Sequence, residues 1–132
     1  MQNGNPFNAN QTNESNAAVV VIKACNNFWI GTTSTNWGTN TNWKTGYVPA
    51  TGDDVIFATE ANNSGVAAIN DLQLDADRTI GNLINSTNKK LIIPPYKSLI
   101  VDGTVTTLAN DPTLILIKAS ATAPNGTLIF RQ

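Results

Sequence analysis

Short apolar runs recur along this chain at an almost constant interval, and each is closed off by residues that break regular structure. Val55, Leu72 and Leu91 mark one series, 17 and 19 residues apart, and Ile80, Leu99 and Ile117 mark another at 19 and 18. Between the runs lie Asn62-Asn63-Ser64-Gly65, Asp75-Ala76-Asp77, Pro94-Pro95, Asp102-Gly103, Asn110-Asp111-Pro112 and Pro124-Asn125-Gly126. Gly and Asn accept left-handed backbone and Pro lacks an amide donor, so such clusters turn the chain. No stretch of ten or more residues keeps a 3.6-residue apolar period without an interruption. The chain reads as all-β.

Two interleaved series of strands with nearly one period are what a stacked coil produces, because each turn sets its inward residues above those of the turn before. The reading is a short parallel β-helix, or β-solenoid, with Leu74, Ile93, Val101 and Ile117 pointing inward. A β-sandwich, whose strands also recur at short intervals, is the alternative.

A coil has two ends, and each exposes apolar core and unpaired backbone. All three Trp of the chain fall within 28–57: Phe28-Trp29-Ile30-Gly31, Ser34-Thr35-Asn36-Trp37, Thr41-Asn42-Trp43, Gly46-Tyr47-Val48-Pro49 and Asp53-Asp54-Val55-Ile56-Phe57. This piece is the natural N-terminal cap. Buried indoles need a partner for their N–H, which Asn36 and Asn42 are placed to supply or support. The division expected is a flexible Asn-rich leader at 1–16 and a single solenoid domain at 17–132. Within the domain, 28–57 forms the cap and first strand, and 58–132 the repeated rungs. Val19-Val20-Val21-Ile22 reads as a further β-former able to anchor the leader or to add to a neighbouring sheet edge.

Composition removes several function classes. Charged residues make up 13% of the 132 positions, net charge is −1, and the one basic pair is Lys89-Lys90. Nucleic-acid binding neutralises many phosphates and has no footing here. His is absent, and with it the commonest general base and metal ligand. One cysteine, Cys25, forms no internal disulfide, and its apolar neighbours suggest a buried small hydrophobe. No run approaches the ~20 apolar residues that cross a bilayer. The leader has no basic start and fails as a signal peptide.

The spacing Trp29-x-Gly31, Ser34-Thr35-Asn36-Trp37, Thr41-Asn42-Trp43, Gly46-x-Val48-Pro49 and Asp53-Asp54-Val55-Ile56, closed by Gly126-Thr127-Leu128-Ile129-Phe130, resembles a repeat module of large exported, adhesin-like surface proteins of Bacteroidota. The resemblance covers about 28–130. It implies a right-handed β-helix, an extracellular location at the cell surface, export often by type IX secretion, and roles in adhesion or fibre assembly. The sorting domain usual for that route is not visible after Phe130, which suggests a fragment or a distinct component.

Candidate sites are few. Trp29, Trp37, Trp43 and Tyr47 form a sugar-stacking platform if their faces are exposed, and a cap if they are buried. Asp71, Asp75 and Asp77, with Asp53 and Asp54, offer oxygens to Ca²⁺, although no known Ca²⁺ loop is matched and Asp is also a common turn residue. Asp75 or Asp77 beside Arg78 is the only trace of a lyase or glycosidase site. The function expected is non-enzymatic, in adhesion or surface assembly, without cofactors. Its expected partners are further copies or the rest of a longer surface protein. A carbohydrate-binding or carbohydrate-active domain, with a glycan partner, is the alternative.

Overall fold

A computed structural model describes residues 25–131; the proposed leader and the apolar run at 19–22 lie outside the described residues. Ten short strands follow one another: β1 Asn26–Trp29, β2 Asp54–Phe57, β3 Leu72–Gln73, β4 Arg78–Ile80, β5 Leu83–Asn85, β6 Leu91–Ile93, β7 Ser98–Val101, β8 Val105–Thr107, β9 Ile115–Ile117 and β10 Thr127–Phe130. They pair in parallel into three sheets, ordered β1-β2-β5-β8, β3-β6-β9 and β4-β7-β10. From β2 on, each turn contributes one strand to each sheet, and β1 opens the first sheet one turn earlier, giving a β-solenoid of about four turns.

Alternation within each strand makes the core. In β2, Val55 and Phe57 are buried while Asp54 and Ile56 are half-buried, and β6 and β7 repeat that pattern. A parallel register then stacks like on like. Val55 sits on Leu83 and Leu83 on Val105; Leu72 sits on Leu91 and Leu91 on Ile115; Leu99 sits on Leu128. These columns of Val, Leu and Ile fill the interior, where each buried aliphatic side chain contributes about 1.5–3 kcal/mol over its exposed state.

The spacing in the sequence gives the stacking of Leu72 on Leu91 but misassigns other pairs. Val55 and Leu72 lie in different sheets, Leu99 stacks under Leu128, and Ile117 stacks on Ile93, not on Leu99. Three sides interleave where two were inferred, and the corners differ in length. One turn takes 19 residues from Leu72 to Leu91 and another 29 from Leu99 to Leu128. The stack also begins with β1, one strand earlier than the repeat suggests, since Asn27 is in register with Val55 and Trp29 with Phe57.

One corner is pinned by a polar ladder. The Asp54 carboxylate accepts from the Asn82 backbone N–H at 2.7 Å, and the Asn82 side-chain oxygen accepts in turn from the Thr104 N–H at 2.8 Å. Each carboxylate or amide thus satisfies the strand-opening donor one rung further on. Gly81 and Gly103 stand beside these side chains, and a Cβ at either position would run into the Asp54 or Asn82 head group. Gly81→Ala is therefore expected to destabilise the fold despite alanine's better backbone entropy, a sign that chemical denaturation reads directly.

Leu74, Ile93 and Val101 are fully buried as expected, whereas Ile117 is 45% exposed. Its partner Ile93 shows that Ile117 faces the same interior. It is exposed because β9 belongs to the last described turn. Ile93→Ala should accordingly cost about 2–5 kcal/mol and Ile117→Ala less than about 1 kcal/mol, measured by urea titration of both variants. Equal losses would mean that the last turn is covered in the chain as it stands. Cys25 also departs from expectation: it is exposed, standing just ahead of β1, where its N–H donates to Asp53 Oδ1 at 3.2 Å.

Candidate functional site

The two ends of the coil differ in kind. At the first, the chain leaving β1 loops back over it. Lys44 N–H donates to Phe28 O at 3.0 Å and Ile30 N–H to Asn42 O at 2.9 Å, so the 42–44 segment lies antiparallel along the edge of β1 that β2 does not use. Asn36 bridges to Gln73 in parallel, beginning the β3 sheet one rung early. The first edge is thus covered by the chain's own backbone.

Beneath that cover the three indoles interlock. Trp43 stands edge-on to both neighbours, with ring centroids 5.1 Å from Trp29 and 5.2 Å from Trp37. Such T-shaped pairs add about 0.5–1.5 kcal/mol beyond area burial. All three side chains are 0–1% exposed, so they present no face to a sugar ring; among the four aromatic residues considered for stacking, Tyr47 alone is exposed, at 72%. Of the two readings open from sequence, cap and stacking platform, the burial of the three indoles fits the cap, since an end that must shed water draws its indoles inward.

The indole partners also differ from expectation. Trp29 Nε1 donates to Asn70 O at 2.9 Å and Trp43 Nε1 to Trp37 O at 2.8 Å, both backbone carbonyls. Trp37 Nε1 is buried with no acceptor among the described residues. Asn42 does a different task. Its buried side chain accepts from the N–H groups of Thr33 and Ser34 at 2.8 and 2.9 Å and donates to Ser34 Oγ and Asn36 O at 3.0 and 2.9 Å. One amide closes the loop that holds Trp37. Sequence reasoning missed this role, and the only available signal was an Asn directly preceding a Trp.

The acidic residues are spread along the corners. Asp71 accepts from Lys90 N–H at 2.8 Å, Asp77 from Ser98 N–H at 2.9 Å, and Asp75 pairs with Arg78 at 2.7 Å. Asp53 ties Cys25, Asn27 and Ala50 together at the start of the stack. Each is committed to a backbone or side-chain donor. Among the described residues, no three Asp, Glu, Cys or His side chains gather as a metal site. Arg78 packs its guanidinium over the Trp37 ring at 5.6 Å, which makes the Asp75–Arg78 pair an outer layer of the cap.

At the other end, nothing among the described residues covers the last turn. Val105, Thr107, Ile115, Ile117, Leu128 and Phe130, the inward residues of the last described turn, line a hollow of about 390 Å³. None of the side chains around it is charged. Phe130 is 58% exposed at its rim. Outside the hollow, Arg131 forks onto Asp102 at 2.7 and 3.0 Å and ties β10 to β7's end.

That bond sets a small acid dependence. Hydrogen bonding from Arg131 holds the Asp102 carboxyl below its ordinary 3.8, and two bonds from Thr113 do the same for Asp111. A depressed folded-state pKa means that the stabilisation is present above the unfolded value and lost as pH falls through the folded one. Both groups are open to solvent, so the effect is modest. Asp102→Asn should flatten the loss of stability below about pH 4, read by thermal melts at pH 2.5–6.

No helix among the described residues is long and apolar enough to cross a membrane. No family model matches the chain, and no solved structure matches it. Over 111 residues the chain is 38% identical to the minor fimbrium subunit Mfa5 of Porphyromonas gingivalis, a match that takes in 79% of this chain and 9% of that protein. A β-solenoid capped at one end is therefore similar in sequence to a small segment of a fimbrial subunit from a species of Bacteroidota.

Proposed function

We propose that this chain is a non-enzymatic, extracellular module that gives a surface fibre a rigid segment, serving fibre assembly and through it adhesion. The likeness to a fimbrial subunit over most of the chain carries the reading. The architecture suits the role. Stacked parallel rungs make a short rod whose backbone bonds run along its length, and rods of this kind continue wherever another rung is added. The low charge and absent His agree with a part that holds position and performs no proton transfer. A glycan-stacking role has less to stand on, since three of its four candidate aromatics are buried.

The test is placement. Antibodies raised against the purified chain should label intact source cells and should detect the parent protein in sheared surface fibres. Detection confined to the soluble interior of broken cells would overturn the proposal.

A further inference from the structure

We propose that the cap binds a buried water molecule, held between Trp37 Nε1 and Arg78 Nε where the cap meets the first full turn. The proposal goes beyond the fibre-module reading and does not depend on it.

Two donors need an acceptor there. Trp37 Nε1 and Arg78 Nε are both buried, and no described residue accepts from either. Neither group has an acceptor of its own, so they do not satisfy each other. Trp37 is 1% exposed, and bulk solvent does not reach its indole. The other two indoles show the usual outcome, since Trp29 and Trp43 each donate to a backbone carbonyl. Buried N–H groups with no partner at all are rare and costly, and those without a protein acceptor are ordinarily met by ordered solvent. The two donors are also neighbours. The guanidinium carbon of Arg78 lies over the Trp37 ring at 5.6 Å, Nε is bonded to that carbon, and Nε1 belongs to that indole. One oxygen with two lone pairs, seated between them, accepts from both.

Charge selects water over an anion. Asp75 Oδ1 accepts from Arg78 Nη2 at 2.7 Å, so the guanidinium is already neutralised and no excess positive charge remains to hold chloride or phosphate. A water also has hydrogens to place, and buried waters make about three hydrogen bonds each. Asp75 offers the acceptor: its Oδ2, which the ion pair does not use, packs against Gly38, the residue after Trp37. A Cβ at position 38 would run into that oxygen, so glycine is what lets the carboxylate lie against the cap loop. The site thus joins Trp37 and Gly38 of the cap to Asp75 and to Arg78, the first residue of β4. The competing arrangement is an N–H···π contact from Trp37 to the Trp43 ring, whose centroid is 5.2 Å away. That contact serves one donor and leaves Arg78 Nε stranded.

Water-to-indole nuclear Overhauser spectroscopy on the 132-residue chain, labelled with nitrogen-15 at Trp, tests the proposal. Trp37→Phe assigns the signal. The Trp37 indole proton should show a direct cross-peak to a long-lived water, while Trp29 and Trp43, each bonded to a carbonyl, show none. Arg78→Lys keeps the charge and removes Nε. It should speed exchange of the Trp37 indole proton about tenfold or more, with the other two indole signals unmoved as the sign that the cap stays folded. A crystal structure should place one solvent oxygen within about 3.2 Å of both nitrogens. A Trp37 indole proton without a water cross-peak would overturn the proposal. So would an indole proton whose contacts fall on residues 1–24 or on the face of the Trp43 ring, a bromide soak that fills the site, or exchange left unchanged by Arg78→Lys.

Discussion

Trp43→Ala should be the most damaging single substitution in the chain, lowering stability by about 3–5 kcal/mol or more. The residue is fully buried, stands edge-on to both other indoles, and donates to Trp37 O at 2.8 Å. Truncation would open a cavity between Trp29 and Trp37 and remove the ring that meets both in T-shaped contacts. It would also loosen the 42–44 segment from β1, where Trp29 and Trp43 bridge in antiparallel fashion. A loss this large is a sizeable share of the 5–15 kcal/mol that a domain usually has. Urea denaturation followed by far-UV circular dichroism measures it. A loss under about 1 kcal/mol would mean that the cap frays without consequence for the rungs, contrary to the packing described.

Asn42→Ala should follow, at about 3 kcal/mol or more. Asn42 is fully buried, and without its amide the half-buried bonds from Thr33 N–H and Ser34 N–H lose their acceptor; a stranded donor costs about 1–3 kcal/mol where water does not replace the partner. Asn36 is the control. It is exposed, and its side chain accepts one bond, from Gly38 N–H at 3.1 Å, so Asn36→Ala should cost less than about 1 kcal/mol. If the two variants melt alike, the role assigned to the Asn42 amide is wrong.

These two residues show where sequence reading stops. The all-β class, the stacked coil and the inward-facing Leu74, Ile93 and Val101 are legible, because strand alternation and breaker clusters are local signals. The number of sides is not. The two inferred series mix strands from three sheets, since spacing along the chain cannot separate a short corner from a long one. The stretch between Phe57 and Leu72, with its own turn at Asn62 to Gly65, hides the period most. The Trp cluster is legible as a cap or a platform, and burial separates the two readings. Asn42 is opaque for another reason. An Asn in a loop carries no mark of whether its amide faces water or four protein partners, and only the fold brings Ser34 and Asn36 to it.

Exposure of Ile117 and Phe130 could not be read from their residue types either. Both belong to apolar strands that look like core, and the register is what places them on the last described turn. Their state depends on what neighbours the rung, which is a property of assembly as much as of sequence.

The claim beneath all of this is that three parallel sheets stack in one register behind a cap that covers the first edge. Methyl–methyl nuclear Overhauser effects in an Ile, Leu and Val labelled sample test it most directly. The account predicts cross-peaks joining Leu72 to Leu91, Leu91 to Ile115, Val55 to Leu83 and Leu99 to Leu128, the steps of the parallel columns. Absence of those contacts, with cross-peaks instead tracing antiparallel registers between strands consecutive in sequence, is what a β-sandwich would give, and it would contradict the solenoid.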